Sequence, residues 1–254
     1  MDQDQLNSRR GFLKKATVAG AVSVAIPNII SSVYANTQAK KVSLSQGGTV
    51  LFQGDSITDA GRNRDNTKYN DSNSLGSGYA LLAASSLLHS HPEKDLKVFN
   101  KGISGNKVFQ LAERWETDCL DLQPHVLSIL IGVNDFWHTL TNNYKGTIET
   151  YRNDLIALLE RTKEKLPDVQ LIIGEPFAVK GIRAVDDSWY PAFDEYRAAA
   201  REIAGRFNAV FIPYQSIFDK AQKEAPGVYW THDGVHPSLA GAELMAQAWL
   251  KAVR

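Results

Sequence analysis

The stretch "HVLSILIGVND", residues 125–135, decides how the chain is read. From Val126 to Ile131 it is apolar but for Ser128, without the alternation of a half-exposed strand, so both faces of a strand built from it need burial. It stops at Gly132, and the polar pair Asn134 and Asp135 follows at once. Four more short, β-branched apolar runs share this form: "TVLF" at 49–52, "LKVFN" at 96–100, "VQLIIGE" at 169–175 and "AVFIP" at 209–213. Stretches of helical period lie between and beyond them, at 78–90, 107–122, 147–165, 191–207 and 238–253. In the third of these Ile148, Tyr151, Leu155, Leu158, Leu159 and Thr162 recur at spacings of three and four, one apolar stripe. Pro167 closes that helix and Pro237 opens the last one. Doubly buried strands, each followed by a helix, predict a central parallel sheet of about five strands between two helical layers, an α/β/α sandwich.

Ligands of such sheets sit beyond the C-terminal ends of the strands. That rule selects the loops in which the unusual residues occur. Gly54-Asp55-Ser56-Ile57-Thr58 follows the first run, Gly102 to Asn106 the second, and Gly132-Val133-Asn134-Asp135 the third; "THDGVHPS", with Asp233 and His236, precedes the last helix. Taken singly, each is ordinary. Gly-Asp-Ser after a strand is a common turn or helix cap, and Asp233 with His236 makes an ordinary buried pair. Together they place Ser56, Gly105, Asn134, Asp233 and His236 around one cleft.

The chemistry of that set is acyl transfer. A serine hydroxyl needs a base, imidazole serves near neutral pH, and the base needs an orienting partner on its other nitrogen. This predicts Ser56 as nucleophile, His236 as base and Asp233 as orienter. The Ser56 and Gly105 backbone N–H groups and the Asn134 amide are the expected oxyanion donors. Trp137 and Trp230 are expected beside the cleft, stacking on a sugar or packing as core; Asp55 is a tentative contact whose carboxylate suits the turn better. Trp115 is expected in the core.

In order, "GDSIT", "NKGISGN", "IGVNDFW" and "DGVHPS" resemble the four sequence blocks of the SGNH subgroup of the GDSL esterase/lipase family, spread over residues 54–238. Ser56, Gly105, Asn134 and His236 match the four residues of the subgroup's name, Asp233 matches the triad acid, and none departs. The resemblance implies a flavodoxin-like fold and ester hydrolysis without a cofactor. A finer resemblance, through "GDSITDAGRNR", "LGSGY", "NKGISGNKV" and "ERWETDCLDLQP", is to bacterial carbohydrate acetylesterases acting on xylan-type oligosaccharides. It implies an oligosaccharide ester as substrate. A short-chain arylesterase, a lysophospholipase and a non-catalytic sugar-binding protein on the same scaffold stay open.

Composition is that of a globular protein, 43% hydrophobic and 22% charged over 254 residues. With 28 basic and 28 acidic residues there is no electrostatic footprint for nucleic acid. A metal site on His232, Asp233 and His236 is disfavoured, because Gly234 and Pro237 interrupt the continuous helix that such a spacing needs. No metal or other cofactor is expected. Neither Gly-x-Ser-x-Gly nor a nucleotide-binding glycine motif occurs. Cys119 is the sole cysteine, so no internal disulfide can form.

Residues 1–35 read as an export signal: "SRRGFLKK" at 8–15, an apolar segment at 16–30, and the small-residue site Val33-Tyr34-Ala35. The paired arginines resemble the twin-arginine signal, implying export to the periplasm or beyond and only transient membrane contact. Removal leaves 24 basic and 26 acidic residues, a formal charge of −2. Residues 36–47 are expected to be a short linker and 48–254 one domain, with homo-oligomerisation left open.

Overall fold

The computed structural model describes residues 28–32 and 40–254. Five strands form one sheet: β1 (Thr49–Gly54), β2 (Lys97–Asn100), β3 (Val126–Leu130), β4 (Gln170–Gly174) and β5 (Val210–Ile212). All neighbours pair in parallel, in the order β2-β1-β3-β4-β5. Burial follows position in the sheet. Every residue of β1 and β3 is buried, whereas the edge strands β2 and β5 alternate buried with half-buried positions. The doubly apolar runs are therefore the central strands, as the hydrophobic effect requires.

The principal helices are α1 (Ser56–Asp59), α2 (Ser72–Leu75), α3 (Tyr79–Ser90), α4 (Val108–Glu113), α5 (Val133–Thr141), α6 (Ile148–Lys165), α7 (Ala192–Arg206), α8 (Tyr214–Ala221), α9 (Gly227–Trp230) and α10 (Leu239–Leu250). Helices α3 and α10 pack together, and α6 packs against α7 and α4. Phe52 of β1 meets both Tyr79 of α3 and Trp249 of α10, at ring-centroid distances of 5.7 and 4.8 Å. The expected stripe of α6 is buried from Tyr151 to Thr162, with Ile148 half-buried at its start. Thr147 caps that helix by accepting from the Thr150 N–H, and Ser238 caps α10 by accepting from the Gly241 N–H.

The stretch expected as one helix over 107–122 is broken. Helix α4 stops at Glu113, and a wider π-helical turn spans Glu116–Leu120. The Arg114 guanidinium donates to Asn106 Oδ1, Lys101 O and Asp118 Oδ2 at 2.8–3.0 Å. The wider turn lets Trp115, Cys119 and Leu120 all face the core. Trp115 is fully buried and donates its indole N–H to Thr162 Oγ1 at 2.9 Å, so it is core as expected. Burial pushes the Cys119 thiol up to about 12, which leaves it inert.

Of residues 36–47, expected as a linker, the described part 40–47 is tied to the chain end. Val42 bridges Val253 and is buried with Leu44. Most of the expected export signal lies outside the described residues. Its one described piece, the helical turn 28–32, buries Ile29 and Ile30, and Lys220 Nζ donates to Ser32 Oγ at 2.8 Å. Among the described residues no helix is long and apolar enough to cross a membrane.

The strand order contains one reversal. From β1 the chain steps outward to β2, then returns past β1 to β3. A crevice opens at such a point beyond the strand ends. Gly54 and Leu130 are register partners there, so the loops carrying Ser56 and Asn134 leave the sheet side by side.

Candidate active site

Ser56 sits at the first turn of α1, where backbone N–H groups lack helical partners. The strand-to-helix turn depends on Gly54: a Cβ there would stand 2.3 Å from Leu130 O and 2.5 Å from Thr58 Oγ1. Asp55 caps the helix, its Oδ1 accepting from the Ile57 N–H at 3.0 Å. Asp59 Oδ2 accepts from both the N–H and the hydroxyl of Ser104, each at 2.8 Å, and from Arg64. Asn100 of β2 donates to Thr58 O at 2.6 Å and accepts from the Gly102 N–H at 2.9 Å. The serine turn and the Gly105 loop are thus fastened into one unit.

The base and its partner come from a tight loop between α9 and α10. Thr231 and Pro237 form an antiparallel bridge; the His232 N–H donates to His236 O and the Ser238 N–H to Trp230 O, both at 2.9 Å. The loop after β4 braces it, through Val179 N–H to Gly234 O at 2.7 Å and Ala184 N–H to Asp233 O at 3.0 Å. The outcome is an unbroken chain. Ser56 Oγ lies 2.8 Å from His236 Nε2, and His236 Nδ1 lies 2.7 Å from Asp233 Oδ2. The other Asp233 oxygen accepts from the N–H groups of Val235 and His236, at 2.9 and 2.8 Å.

Electrostatics match this geometry. Burial pushes the Asp233 carboxyl up, but the bonds from the His236 ring and from the His236 and Val235 N–H groups outweigh it and hold it at about 2. Asp233 is therefore ionised. Its hydrogen bond raises the His236 imidazole above the ordinary value, against an opposing push from burial, with the charges of Asp233 and Asp55 adding to the rise.

Gly105 has φ +84°, a conformation glycine adopts without strain, and a Cβ there would meet nothing within 4 Å. Asn134 begins the second position of α5 and is buried. One of its two amide hydrogens goes to Asn106 O at 3.2 Å, which leaves the other for a ligand. Ser56, His236 and Asp233 are thus joined by hydrogen bonds, and Gly105 and Asn134 lie on two neighbouring loops linked through Asn106.

The tentative contacts divide between the readings left open for them. Trp230 is buried to 2% exposure and donates its indole N–H to the carbonyls of Ala221 and Ala225, so it packs the core and cannot stack on a sugar. Asp55 is likewise buried at 1% and serves its turn rather than a substrate. Trp137 does stand at the site: half-buried, with its ring centroid 6.2 Å from that of His236 and 5.7 Å from that of Trp189. Among the described residues no group of three His, Cys, Asp or Glu side chains is arranged to hold a metal ion.

One residue was not expected. Asp135 is 2% exposed, accepts from the Val108 N–H through Oδ1 at 3.2 Å, and has no partner for Oδ2 among the described residues. It links the Asn134 loop to the helix that follows Gly105. Burial pushes both its carboxyl and that of Asp55 up to about 7. Its place in "GVND" was visible, but burial of the side chain was not.

Beside Ser56 and His236 lies a cleft of about 250 Å³. Its wall includes Ser77, Tyr79, His232, Ser238 and Leu239, and none of its lining residues is Asp, Glu, Lys or Arg.

Comparison with known proteins agrees with this geometry. Residues 52–244 match the GDSL-like lipase/acylhydrolase family. An acetylxylan esterase of Geobacillus stearothermophilus is 34% identical over 212 residues, covering 83% of this chain and 95% of that enzyme. The crystal structure of a GDSL-like lipase from Parabacteroides merdae superposes with a TM-score of 0.82 at 56% identity, covering 84% of this chain and 98% of the other. The Geobacillus esterase superposes with a TM-score of 0.74 at 32% identity, covering 84% and 99%. Catalytic mutants of that esterase replace a serine, an aspartate and a histidine three residues beyond the aspartate. Sheet order, loop positions and a match over most of its length lead to one conclusion: the chain belongs to the GDSL-like lipase/acylhydrolase family and is a carboxylic ester hydrolase.

Proposed function

We propose that the protein is an acetylesterase that deacetylates xylan-type oligo- or polysaccharides, with Ser56 as nucleophile. The observation that carries the mechanism is the continuous Ser56–His236–Asp233 hydrogen-bond chain beside an uncharged cleft. His236 Nε2 takes the Ser56 proton as Oγ attacks the ester carbonyl. The oxyanion is held by the Ser56 and Gly105 N–H groups and the Asn134 amide. Collapse of the intermediate passes the proton from His236 to the departing sugar hydroxyl and leaves an acetyl-enzyme. Water, deprotonated by the same imidazole, then releases acetate. Asp233 stays ionised and stabilises the imidazolium formed twice in the cycle.

A volume of about 250 Å³ suits a short acyl group and the adjoining sugar better than a long acyl chain. The Geobacillus relative, named an acetylxylan esterase, supports the substrate class. The test is acetate release from acetylated xylo-oligosaccharides by the purified enzyme. Turnover of long-chain or phospholipid esters without acetate release would overturn the substrate assignment.

We also propose export through the twin-arginine signal, with cleavage near Ala35 and a mature enzyme in the periplasm or outside the cell. Such cleavage removes the turn 28–32 and uncovers the surface on which Ile29 and Ile30 rest. Intact-mass measurement of the enzyme recovered from the periplasm tests this; a chain beginning at Met1 would refute it.

A further inference from the structure

Five large hydrophobic side chains stand out as exposed among the described residues: Tyr69, Leu140, Val228, Tyr229 and Leu239. The last three share one neighbourhood. The Ser238 hydroxyl donates to Tyr229 O at 2.6 Å, and Ser238 and Leu239 both line the cleft that holds Ser56. Tyr229 is 56% exposed and Leu239 75%. The Tyr229 ring is set edge-to-face on the buried Trp230, at 4.9 Å and 84°, so a rigid core residue supports it. His232 is exposed on the same cleft wall, and its imidazole makes no hydrogen bond among the described residues. Leu239 and His232 thus stand at the mouth of the site, and Tyr229 is held beside it through its carbonyl's bond to Ser238.

The occupant follows from chemistry and size. A lining without Asp, Glu, Lys or Arg offers a strongly charged ligand no carboxylate, ammonium or guanidinium partner. The three side chains offer a few hundred Å² at most, against the ~800 Å² per partner of a stable dimer. A pyranose presents an apolar C–H face and a rim of hydroxyls, which matches a tyrosine ring and a leucine beside an imidazole. The Geobacillus esterase has a tryptophan immediately before its catalytic aspartate, the place that His232 takes before Asp233.

We propose that Tyr229 and Leu239, with His232 beside them, form the subsite for the sugar chain that carries the ester. This rests on the reading of the enzyme as a saccharide acetylesterase. The acetyl group enters toward Ser56, and the neighbouring pyranose lies over Tyr229 and Leu239 with its hydroxyls toward His232.

The test compares an acetylated xylo-oligosaccharide with p-nitrophenyl acetate, which has no sugar. Tyr229→Ala is expected to lower kcat/KM about tenfold on the oligosaccharide, mainly through KM, and at least fivefold less on p-nitrophenyl acetate. Tyr229→Phe restores most of the loss, and Leu239→Ser reproduces it. Equal losses on both esters, or none on either, would overturn the subsite while leaving the acetylesterase reading intact. A wild-type enzyme that hydrolyses p-nitrophenyl acetate but not the oligosaccharide overturns both. A drop in sedimentation coefficient in Tyr229→Ala would make the patch an interface between copies and refute the subsite.

Discussion

Replacing Asp135 with asparagine is expected to remove a large part of the enzyme's loss of stability between pH 4 and pH 8. The Asp135 carboxyl stands at about 7 in the folded protein, pushed there by burial, against 3.8 for the free group. Between those values the unfolded chain gives up its proton while the folded chain keeps it. The folded state binds more protons, so stability falls as pH rises through this window and levels off above it. At about 1.4 kcal/mol per pKa unit, the wild type loses up to about 4 kcal/mol through this residue by pH 8. Asparagine is neutral at every pH and keeps an oxygen to accept the Val108 N–H. The variant should therefore match the wild type near pH 4 and exceed it at pH 8 by as much as that figure. For a chain of this size the difference is on the order of 10 °C in Tm. Asp55, raised to about 7 by the same cause, leaves a residual slope in the variant. Urea unfolding at several pH values between 4 and 8 reads this directly. Parallel pH curves for the two proteins would refute the assignment of Asp135 as a buried, proton-holding carboxyl.

Other outcomes test the rest of the site. Ser56→Ala should abolish ester turnover without changing the unfolding midpoint by more than a degree or two, and retained activity would refute the nucleophile. Asn134→Ala is expected to lower kcat about 10²–10³-fold with little change in KM, as removal of one oxyanion donor does; a loss confined to KM would show that the amide binds ground state and transition state alike. Because Asp233 raises the His236 imidazole, Asp233→Asn should move the acidic limb of the kcat/KM profile to lower pH while reducing its plateau, and an unmoved limb would contradict the pairing. Trp230→Ala is expected to cost about 3–5 kcal/mol of stability through its cavity and two lost hydrogen bonds, an effect seen as a lowered unfolding midpoint.

The parts of the fold legible in the chain were those where one physical demand dominates. The central strands are buried on both faces and so are mostly apolar, the edge strands kept short β-branched runs, and α6 showed its stripe because one long face is buried. Where two demands compete, reading failed. Arg114 sits in a helical pattern but is drawn toward Asn106, Lys101 and Asp118, and nothing local to it announces those partners. The short helix α5 begins inside the motif that carries Asn134, and its polar start hides its periodicity. Tyr229 and Trp230 are adjacent aromatics on one helical turn, and sequence does not say which of them faces the core. The Ser56–His236–Asp233 cluster was readable because its members were chosen by chemistry. Asp135 and Asp59 were not, since their significance lies in what the folded chain places around them.

The bridge between Thr231 and Pro237 has a mechanical consequence. His236 and Asp233 ride on one seven-residue loop and move together, whereas Ser56 is attached to the end of β1, 180 residues away in sequence. The triad has a single seam, between Ser56 Oγ and His236 Nε2. Any loosening of α10 or of the strap after β4 would open that seam first, with the Asp233–His236 pair still intact. Early thermal damage should then silence turnover while the Asp233–His236 hydrogen bond persists, so activity would be lost well before the sheet unfolds.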